Sequence, residues 1–387
     1  MRVLLTTWGS RGDVEPVAAL AARLRELGAE VRVCAPPDEE FVALFDSVGV
    51  PLIPLGASVR STLSADKPDP FKIAAAMVAA RFETLTEAAQ GCDVLMATGL
   101  MPAGARSVAE KLGIRYVFAH LQAYGLPVRD CEPQTGLGQE TINALYLEPL
   151  NSHRVAIGLP PVDDVRDHVF TNRLLLASDP ILDPWRGRTD LDVVQTGAWL
   201  LPDPRPLPAD LVAFLDAGEP PVYVGFGSMN MRGSDDVAKV VIESVRAQGR
   251  RIVLGRGWAG LSLVDNQDDC FVVGESNHRE LFRRVAGVVH HGGAGTTTTA
   301  AVAGVPQVVL PQIGDQPFWA TRVADLGIGV AQDGSVPTFD SLSAALSVVL
   351  TAQTQVRAKA VAETIRTDGA AVAAKLLIES QWQDCPV

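Results

Sequence analysis

Residues 288–311, VVHHGGAGTTTTAAVAGVPQVVLP, place an apolar run, a glycine-rich turn, a stretch of small residues and a second apolar run in direct succession. Val288 and Val289 read as the end of a buried strand, and Gly292, Gly293 and Gly295 permit a tight turn that brings backbone close to a ligand. A helix opens at Thr296–Ala303, and Gln307–Pro311 is the next strand. The N-terminus of a helix presents unpaired N–H groups and about half a positive charge, so with the threonine hydroxyls and His291 beside it this turn suits a phosphate. A glycine turn that only packs a helix onto a sheet is the alternative.

The same grammar runs through the chain. Apolar runs at 3–7, 30–34, 50–55, 93–97 and 115–120 alternate with helical spacing at 17–27, 41–48, 71–89 and 103–112. A second series has strands at 222–225, 251–254, 270–273, 287–291, 307–311 and 328–331, with helices at 235–248, 278–285, 296–303 and 318–326. Such alternation predicts mainly parallel sheets with helices on both faces. The fold class is therefore α/β, with two Rossmann-like doubly wound domains.

Residues 122–150 read as a long loop leading into a helix at 140–156. Pro202, Pro204, Pro206 and Pro208 mark a stiff linker expected to join neither core. The expected division is an N-terminal domain at 1–200, a linker at 201–210 and a C-terminal domain at 211–365. Two tail helices, 339–350 and 355–379, follow, and residues 366–387 are expected to return to the N-terminal domain.

The net charge of −12 argues against nucleic acid or an anionic membrane as a partner, since both call for a basic footprint. Five scattered cysteines without CxxC spacing suggest neither a disulfide framework nor a zinc site, so a reducing cytoplasm is the expected compartment. The apolar run in MRVLLTTWGSRGD is too short for a signal peptide, and no stretch is long enough for a transmembrane segment.

Three further stretches carry chemistry. GSRGDVEP, residues 9–16, is neither GxGxxG nor GxxxxGK[ST], but it puts Ser10, Arg11 and Asp13 where ligands of such sheets collect. Taken alone, Asp13 reads first as a helix cap. Ser228, in YVGFGSM, follows a strand and suits either a phosphate contact or a cap. Asp315 and Gln316 set a carboxylate beside an amide, a pair suited to sugar hydroxyls, with an N-cap pair as the alternative. Metal signals are weak: His290 and His291 point to opposite faces of a strand, and Asp190-Leu191-Asp192 is a short DxD match of a kind that recurs by chance.

With GSRGDVEP at one end and HHGGAGT followed by DQ at the other, the chain resembles the inverting family 1 glycosyltransferases of GT-B architecture over nearly its whole length. Through LNSHRVAIGLPPV (150–162), VQTGAWLLPDPRPL (194–207) and PTFDSLSAAL (337–346) it is most similar to the glycopeptide-antibiotic enzymes of vancomycin, chloroeremomycin and teicoplanin assembly. The resemblance implies two domains facing each other across a cleft, the first binding the acceptor and the second a nucleotide sugar.

On that resemblance Ser228, His291, Gly293, Gly295 and Thr296, with Ser10 and Arg11, contact the donor diphosphate. Asp315 and Gln316 hold sugar hydroxyls, and Asp13 is the general base. Where plant members place a base-stacking Trp, this chain has Gly274, so the base is expected on Val273, on backbone groups, or on Trp258. No metal and no cofactor is implied beyond the donor, which is UDP-glucose or UDP-N-acetylglucosamine, with a dTDP-sugar as the alternative.

The implied acceptor is a glycopeptide heptapeptide aglycone, modified at the β-hydroxytyrosine of its sixth residue or the hydroxyphenylglycine of its fourth. Rival readings are a sterol or macrolide glucosyltransferase and a nucleotide-sugar epimerase of the same fold. A monomer is the family expectation. An architecture that separates acceptor and donor halves also permits a chimera joined near the linker, for which the sequence shows no seam.

Overall fold

The computed structural model describes residues 1–63, 69–126, 138–187, 191–226, 234–256, 267–333 and 336–379. It divides into two compact units: Met1–Leu201 together with the described residues from Arg366 onward, and Pro202–Ile365.

The first unit is built on strands β1 (Arg2–Thr6), β2 (Glu30–Ala35), β3 (Leu52–Pro54), β4 (Val94–Ala97), β5 (Arg115–His120), β6 (Arg173–Leu176) and β7 (Asp192–Gln195). Their order is β3-β2-β1-β4-β5-β6-β7, and every pairing is parallel. Alternation along β1 explains why both faces are covered. Val3 and Leu5 join the core packed by Val17, Leu20, Ala373 and Leu377, while Leu4 joins the opposite core with Phe82, Leu95 and Val108. Strands β6 and β7 had no counterpart in the sequence reading. Among the described residues no helix separates RLLL from DVVQ, so the strand–helix alternation that located the other strands is missing there.

Two helix boundaries also differ from expectation. The first helix spans Arg11–Glu26, so residues 11–16 are helical and not a loop. Pro16 lies inside the helix, and the backbone carbonyl of Ser10 already accepts the N–H groups of Asp13 and Val14. The expected helix 355–379 is broken into Ala352–Ala362 and Gly369–Ile378. The break lies where the chain leaves the second unit, and the carboxylate of Asp179 pins it by accepting the Arg366 N–H at 2.9 Å. A side chain at Gly369 would set its Cβ 2.3 Å from the Gly197 carbonyl oxygen, so glycine is required there. The helix Gly369–Ile378 then packs against Arg11–Glu26, and Arg115 donates to the Leu377 carbonyl.

The second unit holds β8 (Val222–Gly225), β9 (Ile252–Gly255), β10 (Cys270–Val273), β11 (Gly287–His290), β12 (Gln307–Val309) and β13 (Gly329–Ala331). Their order is β10-β9-β8-β11-β12-β13, again all parallel. The proline-rich stretch is not the detached spacer the sequence suggested. Asn277 donates to the carbonyls of Asp203 and Arg205 at 2.8 and 3.0 Å, and Leu207 packs against the core of this unit. Proline stiffness and docking are compatible because proline keeps its carbonyl as an acceptor.

Each sheet reverses its winding once, between β1 and β4 in the first unit and between β8 and β11 in the second. Open α/β sheets bind ligands at the carboxyl ends of the strands flanking such a reversal. Asp13 follows β1, and His291 follows β11. Among the described residues no helix is long and apolar enough to cross a membrane.

Candidate functional site

In the second unit the turn after β11 is shaped by two histidines with different jobs. His290 is fully buried; its Nδ1 accepts the Gly292 N–H at 3.0 Å and its Nε2 lies 2.9 Å from Oε1 of Gln307. That pattern fixes the proton on Nε2, and burial lowers the pKa to about 3, so the ring is a neutral brace for the turn.

His291 is 9% exposed and lacks such partners: its Nδ1 is buried without a hydrogen bond. Burial lowers its pKa to about 4, leaving it neutral at pH 7. A buried polar nitrogen without a partner costs roughly 1–3 kcal/mol. A Cβ on Gly293 would sit 2.5 Å from His291 Nε2, so glycine there makes room for the ring.

The helix that follows spans Ala294–Val302, two residues earlier than the sequence placed it. Gly293 is its N-cap residue and no side chain caps it, while the Thr297 hydroxyl and N–H both bond the Gly293 carbonyl at 3.0 Å. The first amides, at Ala294, Gly295 and Thr296, therefore have no partner within the helix. Gly295 is exposed, and a Cβ there would meet nothing within 4 Å. The uncapped helix start, with its unpaired amides and dipole, thus lies next in sequence to the neutral buried imidazole of His291.

Asp315 and Gln316 lie at the start of the helix Gln316–Asp325, and neither caps it with its side chain. The Asp315 carboxylate accepts the Trp319 indole N–H at 2.8 Å, and burial raises its pKa while that hydrogen bond opposes the rise. Gln316 is buried, and its Oε1 accepts the N–H groups of Gln312 and Ile313. The two motifs touch: a Cβ on Gly292, whose φ is +91°, would come within 3.1 Å of the Gln316 carbonyl oxygen.

The expected base platform needs correction. Val273 is 4% exposed and packs with Tyr223, Leu281 and Phe282, so its side chain belongs to the core and only its backbone is available. Gly274 is exposed with open space around its Cα. Ser228 and Trp258 lie outside the described residues, as does Asp190. Asp192 opens β7 and pairs with Arg173 at 3.1 Å, and among the described residues no group of side chains forms a metal site.

In the first unit Asp13 occupies the third position of the first helix, and the N-cap residue is Ser10, not Asp13. The Ser10 hydroxyl donates to the Asp13 carboxylate at 3.2 Å, and the Thr7 hydroxyl donates to the Asp13 carbonyl at 3.0 Å. Gly9 is required beneath the carboxylate, since a Cβ there would lie 2.2 Å from Oδ2. Arg11 is engaged with Glu15 at 2.7 Å along the exposed helix face. Beside this loop Trp8, Ile73, Ala76 and Met77, with Lys72, line a mainly apolar cavity of about 240 Å³.

Sequence reasoning missed Trp319, His290 and Gln307 as supports. The only signal was spacing: Trp319 stands one helical turn beyond Asp315.

Known proteins resemble the chain in both sequence and fold. Residues 3–122 match the glycosyltransferase family 28 N-terminal domain, and residues 268–375 match the C-terminal domain of the erythromycin biosynthesis protein CIII-like family. Three relatives from Amycolatopsis orientalis span nearly the same length. Glycosyltransferase GtfE is 53% identical over 100% of this chain and 99% of its own. Vancomycin aglycone glucosyltransferase is 52% identical over the same shares, and dTDP-epi-vancosaminyltransferase is 50% identical over 93% of each. Among solved structures, the glycosyltransferase of kitacinnamycin superposes with a TM-score of 0.76 at 20% identity, covering 97% of each chain. The chain belongs to the vancomycin-type glycosyltransferases of antibiotic biosynthesis, built on the GT-B fold.

Proposed function

We propose that the protein transfers a hexose, glucose or N-acetylglucosamine, from a nucleotide diphosphate donor to a hydroxyl of a glycopeptide aglycone, with inversion and without a metal. The observation that carries the donor half is His291: a buried, neutral imidazole with an unpaired nitrogen, beside an uncapped helix N-terminus that suits a diphosphate. Together with the amides of Gly295 and Thr296, that imidazole stabilises charge on the departing diphosphate. Gly293 contributes space for the ring, and Asp315 accepts from a sugar hydroxyl.

Asp13 is the base. An ionised carboxylate held by the Ser10 hydroxyl takes the proton of the acceptor phenol or alcohol as the oxygen attacks the anomeric carbon. The atoms balance in a single displacement: the glycosidic bond forms, the bond to the diphosphate breaks, and the proton ends on Asp13. The apolar cavity beside Trp8 suits an aromatic part of the acceptor.

A second donor reading, a dTDP-linked deoxyaminosugar, is favoured by the 50% identity to dTDP-epi-vancosaminyltransferase. A mass-spectrometric screen of vancomycin-type aglycone against a panel of UDP- and dTDP-sugars separates the two. A hexose mass gain supports the first reading. A deoxyaminosugar mass gain alone replaces it, and conversion of a nucleotide sugar to an isomer without acceptor replaces both.

A further inference from the structure

We infer that the cavity beside Trp8 takes one ring of the acceptor and that Lys72 on its wall reads a carboxylate there, so that a peptide acceptor ending in a free acid is preferred. This assignment rests on the acceptor reading above and adds to it the charge that the acceptor presents.

Its first support is that the walls are built. One wall comes from residues 56–62, which lead from β3 into the short helix Val59–Leu63. The buried carboxylate of Asp38 accepts the Ser58 hydroxyl at 2.7 Å and the N–H groups of Val59 and Arg60 at 2.9 and 3.1 Å, so three donors fix that segment. The buried Trp8 indole donates to the Ala57 carbonyl at 3.2 Å and ties the segment to the loop that leads into Asp13. Lys72, Ile73, Ala76 and Met77 belong to the helix Pro70–Ala88, where their spacing of one turn puts them on one face.

A second support is which polar groups are left for a ligand. Of the lining side chains, those of Trp8, Thr62 and Lys72 carry polar atoms. The Trp8 N–H is spent on Ala57, and the Thr62 hydroxyl donates to the Ser58 carbonyl at 2.8 Å. The Lys72 ammonium keeps its donors: among the described residues it forms no ion pair, and the nearby Asp69 carboxylate accepts the backbone N–H groups of Phe71 and Lys72.

A cation on a mainly apolar wall fits an occupant with an apolar body and an anionic group. About 150 Å³ suffices for benzene, so a cavity of about 240 Å³ takes one aryl ring with a small substituent. An aromatic peptide supplies both, the ring from a side chain and the anion from its C-terminus. Lys72 is exposed, so the pair stays in reach of water and salt, and its effect is several-fold. It acts on acceptor binding in ground and transition state alike, and is therefore read in KM.

Initial rates with a vancomycin-type aglycone and with its C-terminal methylamide, for the wild type, Lys72→Met, Lys72→Arg and Ala76→Phe, test this. The wild type is expected to show a KM for the amide roughly fivefold above that for the acid, a gap that narrows as salt is raised. In Lys72→Met the gap closes, with both acceptors near the wild-type value for the amide, and in Lys72→Arg it returns. Ala76→Phe, which fills the cavity, is expected to raise KM for acid and amide together. Equal KM values in the wild type, or a gap that survives in Lys72→Met, would overturn the role of Lys72. Unchanged KM values in Ala76→Phe would place the ring elsewhere and overturn the subsite. Absence of aglycone turnover by the wild type would instead overturn the acceptor reading itself.

Discussion

The indole of Trp319 donates to the Asp315 carboxylate at 2.8 Å, one helical turn away, and it does so from a buried position. Burial raises the pKa of that carboxyl, and the indole hydrogen bond works against the rise. Trp319→Phe keeps most of the packing and removes the donor, so the carboxyl titrates higher and loses its orientation. The expected outcome is a KM for nucleotide sugar raised by roughly fivefold, with binding of the free nucleoside diphosphate unchanged. Equal loss for both ligands would show that Trp319 acts through the whole donor site.

Gly293 is fixed by the ring beside it. An alanine Cβ would lie 2.5 Å from His291 Nε2, and the ring would have to leave its seat. Gly293→Ala is expected to weaken nucleoside diphosphate binding by roughly tenfold or more while the melting temperature changes little, since the neighbouring His290 brace remains. Unchanged affinity in calorimetry would detach His291 from the diphosphate.

The two parallel-sheet domains were legible in the sequence, because the repeated strand and helix spacing locates the strand ends. The same spacing sets His291, Gly293 and Gly295 between the end of β11 and the helix that follows. The partners that orient them were not legible. Gln307 braces His290 from the next strand, 17 residues on, a pairing set by the parallel register of β11 and β12. Val273 was misplaced as a contact surface because a strand's last residue faces either side, and here Tyr223 and Phe282 draw it inward. The bonds by which the Gln316 amide oxygen holds the N–H groups of Gln312 and Ile313 carry no sequence signal either.

Buried histidines set an acid limit. Burial lowers His120 and His291 to about 4 and His168 and His290 to about 3, against an ordinary value near 6.5. Between those values the unfolded chain binds more protons than the folded one, so stability is fully present above pH 6.5 and falls as the pH drops toward 4. The melting temperature at fixed ionic strength is expected to be clearly lower at pH 5 than at pH 7.5. A flat profile across that range would mean these rings protonate freely in the folded protein.

Arg81 is a buried cation satisfied by backbone. Its guanidinium donates to the carbonyls of Leu100 and Met101 at 3.0 and 2.9 Å, and more weakly to Ala103, and burial lowers its pKa to about 10. These residues follow β4, and the Leu100 N–H reaches the Trp8 carbonyl at 3.0 Å, so the segment buttresses the loop that leads into Asp13. Arg81→Met removes the guanidinium from all three carbonyls, leaving that of Met101 only the Ala103 N–H at 2.8 Å, and is expected to cost about 3 kcal/mol or more. Chemical denaturation measures it, and a loss below about 1 kcal/mol would contradict the buttress.

The base assignment is the centre of the account, and the rate of aglycone glycosylation by Asp13→Asn at saturating donor tests it most directly. The Ser10 hydroxyl and Gly9 keep an isosteric amide in the same place. The account predicts a kcat reduced by about 10²-fold or more with nucleotide-sugar affinity retained. A kcat within a few-fold of the wild type would contradict it and move the proton to another acceptor.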